Sequence, residues 1–141
     1  MKIGVLPGDD IGLEVVPECV KVMKSAAARA GLEVEWLDLP IGKRGHELHG
    51  HTLPPVTAQA LEGCDGWITG PIGHAAYPRN DPTWVMPPLR KRFQLFASIK
   101  PVKSYSNIRS IHKDVDIVFL REVNEGMMSS SVVVRSSGGN L

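Results

Sequence analysis

Cysteine is scarce: Cys19 and Cys64 are the only two in 141 residues, and they stand far apart in apolar-rich surroundings. That pattern excludes a disulfide framework and a cysteine-ligated metal centre, and it sets the expectation of a reduced, cytoplasmic protein. Net charge is nearly absent as well, with 16 basic against 15 acidic residues. A nucleic-acid or membrane-surface binder needs a larger excess of one sign, so neither partner is expected. No apolar run approaches the roughly 20 residues that span a bilayer. The apolar stretch at residues 2–6 is too short for a secretory leader, and Asp9 and Asp10 follow it. The Gly-x-Gly-x-x-Gly fingerprint is missing too. The first turn reads Gly8-Asp9-Asp10-Ile11-Gly12, which excludes the standard dinucleotide-binding assignment. What remains is ordinary globular material, 43% hydrophobic and 22% charged, long enough for one domain or one domain with part of another.

The patterning supplies elements. Residues 2–6 read as a buried strand ending at Pro7-Gly8. From Ile11 to Ala30 apolar residues recur at helical spacing, with Pro17 an irregularity near the start and Gly31 as the C-terminal cap. Residues 32–39 alternate as a strand with one wet face. Residues 40–53, rich in Gly and His, read as a loop; Pro54-Pro55 opens a short helix, and residues 65–69 form a second buried strand. Alternating strands and helices predict an α/β fold, with a mostly parallel sheet flanked by helices and right-handed crossovers. Beyond an irregular stretch at 71–88 the spacing predicts a helix over 88–96 and strands over 99–105 and 116–121. The Ser/Gly-rich tail at 129–141 has no terminating element, so the chain reads as ending in mid-fold. Residues 1–97 are taken as a first domain segment and 98–141 as the start of a second.

Four segments could carry chemistry. Residues 8–12 lie between strand and helix, where unpaired N–H groups favour an anionic ligand or a capping aspartate, Asp9 or Asp10. His46, His49 and His51 invite a metal reading, but their spacing is not that of a zinc protease helix and no cysteine or carboxylate stands at a matching distance, so a polar surface loop is the better account. In the run from Leu89 to Pro101 four cations lie among apolar residues at helical spacing. Leu89, Phe93 and Phe96 are expected to face the core, and Arg90 shares another face with Gln94. Arginine's planar fork suits bidentate carboxylate binding; a solvated basic face is the competing account. Arg121 directly follows a buried strand, where open α/β sheets place ligand groups. A surface pair with Glu122 or Glu125 is the alternative, and it would contribute little.

Taken in order, Gly-Asp-x-Ile-Gly-x-Glu-Val near the start, Leu-Arg-Lys-x-Phe-x-Leu-Phe-Ala-x-Ile-x-Pro-Val-Lys, and Asp-x-x-x-x-Arg-Glu-x-x-Glu-Gly resemble the isopropylmalate/isocitrate/tartrate dehydrogenase family over residues 1–130. The resemblance implies an isopropylmalate dehydrogenase-like fold, here incomplete. It implies an oxidoreductase that oxidises a malate-type 2-hydroxy acid with NAD or NADP and decarboxylates it with Mg or Mn, working as a homo-oligomer on a small dicarboxylate. An isopropylmalate- or tartrate-like substrate is favoured over isocitrate, because residues 83–88 carry no extra charged group. Carried over by position, Arg90, Lys100 and Arg121 are the substrate-binding cations, with Lys100 standing where an arginine is usual. Ile11, Gly70, Thr83 and Met86 fall on the cofactor side, and Asp10 replaces a usual glycine. Met128 occupies the position of the catalytic tyrosine and can neither donate nor accept a proton usefully. The catalytic lysine, the metal-binding aspartates and the adenine loop lie further along the family chain. The expectation is therefore a truncated, inactive piece with no catalytic or metal-binding residue of its own. A non-catalytic dicarboxylate-binding or regulatory subunit is the alternative.

Overall fold

A computed structural model describes residues 1–73 and 85–125. The chain divides into two compact units, Met1–Met86 and Pro87–Leu141.

The first unit begins with β1 (Lys2–Leu6), α1 (Gly12–Arg29) and β2 (Glu35–Asp38), followed by α2 (Gly42–His49), α3 (Pro55–Glu62) and β3 (Gly66–Thr69). All three strands are parallel in the order β2-β1-β3, with Gly4 opposite Leu37 on one side and Trp67 on the other. The parallel α/β expectation holds here for a simple reason. A strand bonded on both edges and packed by helices is expected to be largely apolar, and β1 is from Ile3 to Leu6, with Leu6 fully buried.

Helix α1 buries a narrow stripe, Gly12, Val16 and Val20. Val15 and Ile11, which share the helical spacing in the sequence, are about half exposed, at 48% and 54%. Pro17 sits on the exposed side, where its missing donor is tolerated. Gly31 ends the helix as expected, at φ +66. Its N–H bonds the Ala28 carbonyl and that of Leu32 bonds the Ala27 carbonyl, a left-handed stop that glycine adopts without steric cost. Helix α3 opens on Pro55 in its first turn and buries Ala58 and Leu61. The core of this unit includes Leu6, Val16, Ile41, Ala58 and Leu61.

Helix α2 corrects the reading of residues 40–53 as a loop. Glycines at 42, 45 and 50 lower the local helix propensity, and the feature that starts the helix comes from elsewhere in the chain. The side chain of Ile41, just before the first turn, supplies no capping bond.

The second unit contains most of α4 (Met86–Arg92) and a ribbon of β4 (Ala97–Lys103) and β5 (Asp116–Glu122). The helix is shorter than the predicted 88–96. Gln94 takes φ 50, with its N–H bonded to the Lys91 carbonyl at 3.3 Å and the Leu95 N–H to the Arg90 carbonyl at 2.9 Å. These two bonds close a Schellman stop around a residue other than glycine. Phe96 consequently leaves the helix and is 73% exposed rather than facing the core, whereas Leu89 is fully buried.

The strands β4 and β5 are antiparallel and separate from the first sheet. Bonds from Ser104 N–H to the Val115 carbonyl and from Val123 N–H to the Phe96 carbonyl fix the closely bonded pairs at the two ends. Counting inward, Pro101 opposite Val118 falls on a pair whose N–H positions face away from the partner strand. That is where a strand tolerates proline.

Candidate functional site

Ligand groups in parallel α/β sheets gather at the carboxyl ends of the strands. In the first unit those ends are residues 7–12 after β1 and 70–73 after β3. The two loops are bonded together: Asp9 N–H to the Pro71 carbonyl at 2.8 Å, and Gly70 N–H to the Leu6 carbonyl at 2.8 Å. A Cβ on either Gly12 or Gly70 would run into the Pro7 carbonyl. Gly70 is therefore required by the close approach of one loop to the other, and Gly12 chiefly by the tight turn of its own loop.

Asp9 is buried, at 4% exposure. Its Oδ1 accepts the Lys43 N–H at 2.7 Å and its Oδ2 accepts the Gly73 N–H at 2.9 Å. The capping role expected for residues 8–12 is thus real but remote: Asp9 caps α2, 34 positions away, instead of the helix that follows it. Asp10 adopts φ 48, a left-handed conformation in which glycine is less strained. Ile11 stands half exposed at the head of α1, and Gly70 directly follows β3. Met86 is the first residue of α4 and half buried. Thr83 and Met128 lie outside the described residues.

In the second unit, Arg90 is on α4, Lys100 on β4 and Arg121 on β5. The ribbon register decides which strand residues share a face. Ser98 is opposite Arg121 and Lys100 is opposite Phe119. Directly opposed residues point to the same side, as do residues two apart on one strand. Lys100 and Arg121 are therefore diagonal neighbours on one face, about 7 Å apart by strand geometry. Neither is joined to a described carboxylate; the ribbon's ion pair is between Lys103 and Asp116 on the other face, at 3.2 Å.

Glu122, one of the two alternative surface partners of Arg121, is committed to the backbone. Its carboxylate accepts the N–H groups of Asn124 at 2.9 Å and of Glu125. The Asn124 N–H, with smaller help from those of Glu125 and Val123, holds the Glu122 carboxyl below its ordinary pKa against the opposing effect of desolvation. This tight turn carries Asn124 back to α4, where its Nδ2 donates to the carbonyl of Leu95 at 2.7 Å and to that of Arg90 at 3.2 Å. The sequence alone offers Gln94 only as a helix-face neighbour of Arg90 and gives Asn124 no role. The one available signal was an asparagine three positions after a strand-end arginine, a residue type that bonds backbone groups readily.

His46 and His49 lie in the last turn of α2, with His46 half buried. Among the described residues no group of His, Cys, Asp and Glu side chains could hold a metal ion. Nor is any described helix long and apolar enough to cross a membrane.

A family model described as isocitrate/isopropylmalate dehydrogenase matches residues 2–139. The chain is 33% identical over 138 residues to a 3-isopropylmalate dehydrogenase of Desulfitobacterium hafniense, covering 89% of this chain and 39% of that protein. It is 34% identical over 135 residues to one of Cupriavidus metallidurans, covering 88% of this chain and 37% of that protein. Among solved structures, isocitrate dehydrogenase from Methylococcus capsulatus superposes with a TM-score of 0.76 at 27% identity, covering 92% of this chain and 37% of that one. The chain thus spans under two fifths of the length of these relatives.

Proposed function

The chain belongs to the isocitrate/isopropylmalate dehydrogenase family, and on that premise we propose that it carries the substrate-holding part of a dehydrogenase that oxidatively decarboxylates a malate-type 2-hydroxy acid, with an isopropylmalate- or tartrate-like acid favoured over isocitrate. One observation carries the reading: Lys100 and Arg121 share a ribbon face, with Arg90 on the helix that Asn124 bonds to the end of the same ribbon. None of the three cations pairs with a described carboxylate, so their charge is available to a ligand.

In this reading Arg90 and Arg121 grip carboxylates with their two-pronged forks. Lys100 adds a point charge on the Arg121 side. Holding both ends of a dicarboxylate fixes which face of its hydroxyl-bearing carbon is presented, and that orientation is the chain's own contribution to the reaction. The half-exposed Ile11 and Gly70 after β3 are proposed for the cofactor side, with Met86 and Thr83 following them in the chain. An NAD or NADP nicotinamide, when bound, supplies the hydride acceptor. Magnesium or manganese belongs to the reaction in this family, but the described residues lack a donor set for it, and no step through a metal is assigned to them.

The test is calorimetry of the purified chain with D-malate and 3-isopropylmalate, and with R90A and R121A variants. Binding that each substitution weakens by about tenfold or more is expected for lost charge-assisted contacts. No binding, or binding indifferent to both substitutions, overturns the reading. A second reading, a dicarboxylate-binding subunit without turnover, is favoured by Met128 at the position of the family's tyrosine. Production of NADH or NADPH in the presence of manganese would overturn that alternative.

A further inference from the structure

We propose that Asn124 is a positioning residue that makes Arg90 and Arg121 act as one cradle for a two-carboxylate ligand; the inference rests on the dicarboxylate reading above. Arg121 and Arg90 are separated by a whole hairpin in sequence, and they lie on elements of different type. What joins those elements at the site is a short chain of hydrogen bonds.

The bonds run in order. Glu122, next to Arg121, takes the Asn124 N–H at 2.9 Å with Oε1 and 3.0 Å with Oε2, and this curls the chain immediately after β5. The curl aims the Asn124 amide at the end of α4. There Nδ2 donates to the Arg90 carbonyl at 3.2 Å and to the Leu95 carbonyl at 2.7 Å. The Arg90 carbonyl also receives the Leu95 N–H at 2.9 Å, the bond that closes the helix stop. One side-chain amide thus spends both its protons on the turn that terminates α4, and one of the two acceptors is the arginine's own backbone.

The stop it braces is intrinsically weak. Gln94 occupies the left-handed position at φ 50, where a side chain is strained relative to glycine. Helix α4 spans seven residues, too few to hold its last turn by propensity alone. Without Asn124 the Arg90 carbonyl would lose its direct bond to the turn after β5, leaving the end of α4 tied to β5 through the more distant bond from the Val123 N–H to the Phe96 carbonyl. A displacement of even an ångström spoils simultaneous bonding of two carboxylates. Arg121 is not exposed to the same loss, because its place is set by the ladder to Ser98.

The experiment uses the full chain with D-malate as probe, in the unaltered form and as N124A, N124S and N124D. Malate is expected to shift the side-chain Nε–H resonances of both Arg90 and Arg121 in the unaltered chain. In N124A only Arg121 is expected to respond, with affinity lowered about tenfold, as for a misplaced binding group. N124S, which retains one donor, should fall between. N124D should bind least well, because a carboxylate would then face two carbonyl oxygens. Amide spectra of the ribbon should remain those of the unaltered chain. If N124A and N124D bind malate as the unaltered chain does, with both arginines responding, the proposal is overturned while the dicarboxylate reading stands. If the unaltered chain does not bind malate, the dicarboxylate reading falls and the proposal falls with it.

Discussion

The two units bury apolar surface in opposite ways. In the first, the three parallel strands carry helices along the chain between them, and Leu6, Ile41 and Leu61 are at most 1% exposed. In the second, an antiparallel ribbon leaves Ile99, Phe119 and Leu120 at 66%, 55% and 74% exposure. The difference teaches that similar β-rich sequence can serve two purposes. The apolar residues of β1 specify a core. Those of β4 and β5 stand on the same short strands as two of the cations that define the candidate site, Lys100 and Arg121, and a two-stranded ribbon has too little surface to bury both its faces. The first unit is held by packing, the second by directed polar bonds from Asn124 and Glu122.

The largest test of that contrast is a matched pair of truncations. Leu61→Ala should destabilise the first unit by about 2–5 kcal/mol, through lost transfer energy and a cavity. Leu120→Ala on the ribbon should change stability by no more than about 0.5 kcal/mol. Denaturant unfolding followed separately in the two units measures both, and equal losses would break the comparison. Asp9→Ala comes next. It leaves the Lys43 and Gly73 N–H groups without their acceptor, at a cost of about 1–3 kcal/mol. Hydrogen exchange at those two amides should accelerate together, showing that a polar bond matters in the packed unit as well.

Gln94→Gly is expected to act in the other direction. It relieves the left-handed strain and should stabilise the second unit by about 0.5–1 kcal/mol, visible as a raised unfolding midpoint. The smallest effect expected is that of acid on Glu122. Its carboxyl lies below its ordinary pKa because it accepts backbone N–H bonds, chiefly that of Asn124. A carboxyl depressed in the folded state contributes its stabilisation above the unfolded pKa and loses it as pH falls through the folded one. Amide shifts of Asn124 and Glu125 should therefore titrate together in acid, below the usual glutamate range. Amides of Leu6 and Leu61 should not follow.

Much of the first unit was legible in the sequence because its signals are local. Period-2 and helical spacings, Pro54-Pro55 and Gly31 each act within a turn or two of where they stand. Helix α2 was not legible: its own glycines argue against it, and its cap is Asp9. The end of α4 was missed because Gln94 gives no sign that it will take a left-handed turn. For the candidate site, Arg90, Lys100 and Arg121 could be picked out by residue type and by the family pattern, and the alternative of a surface pair between Arg121 and Glu122 could be set aside only once that carboxylate was seen bonded to the backbone.

By itself, then, the sequence determined the order of strands in the first unit, the parallel α/β class and the family to which the chain belongs. Local periodicity and spaced motifs are properties of the chain alone. Tertiary structure decided that Asp9 caps a helix 34 residues on, that Lys100 and Arg121 share a face, and that Asn124 reaches Leu95 across 29 positions. Those outcomes depend on strand register and on which buried polar groups find partners, and both are settled only when distant segments meet.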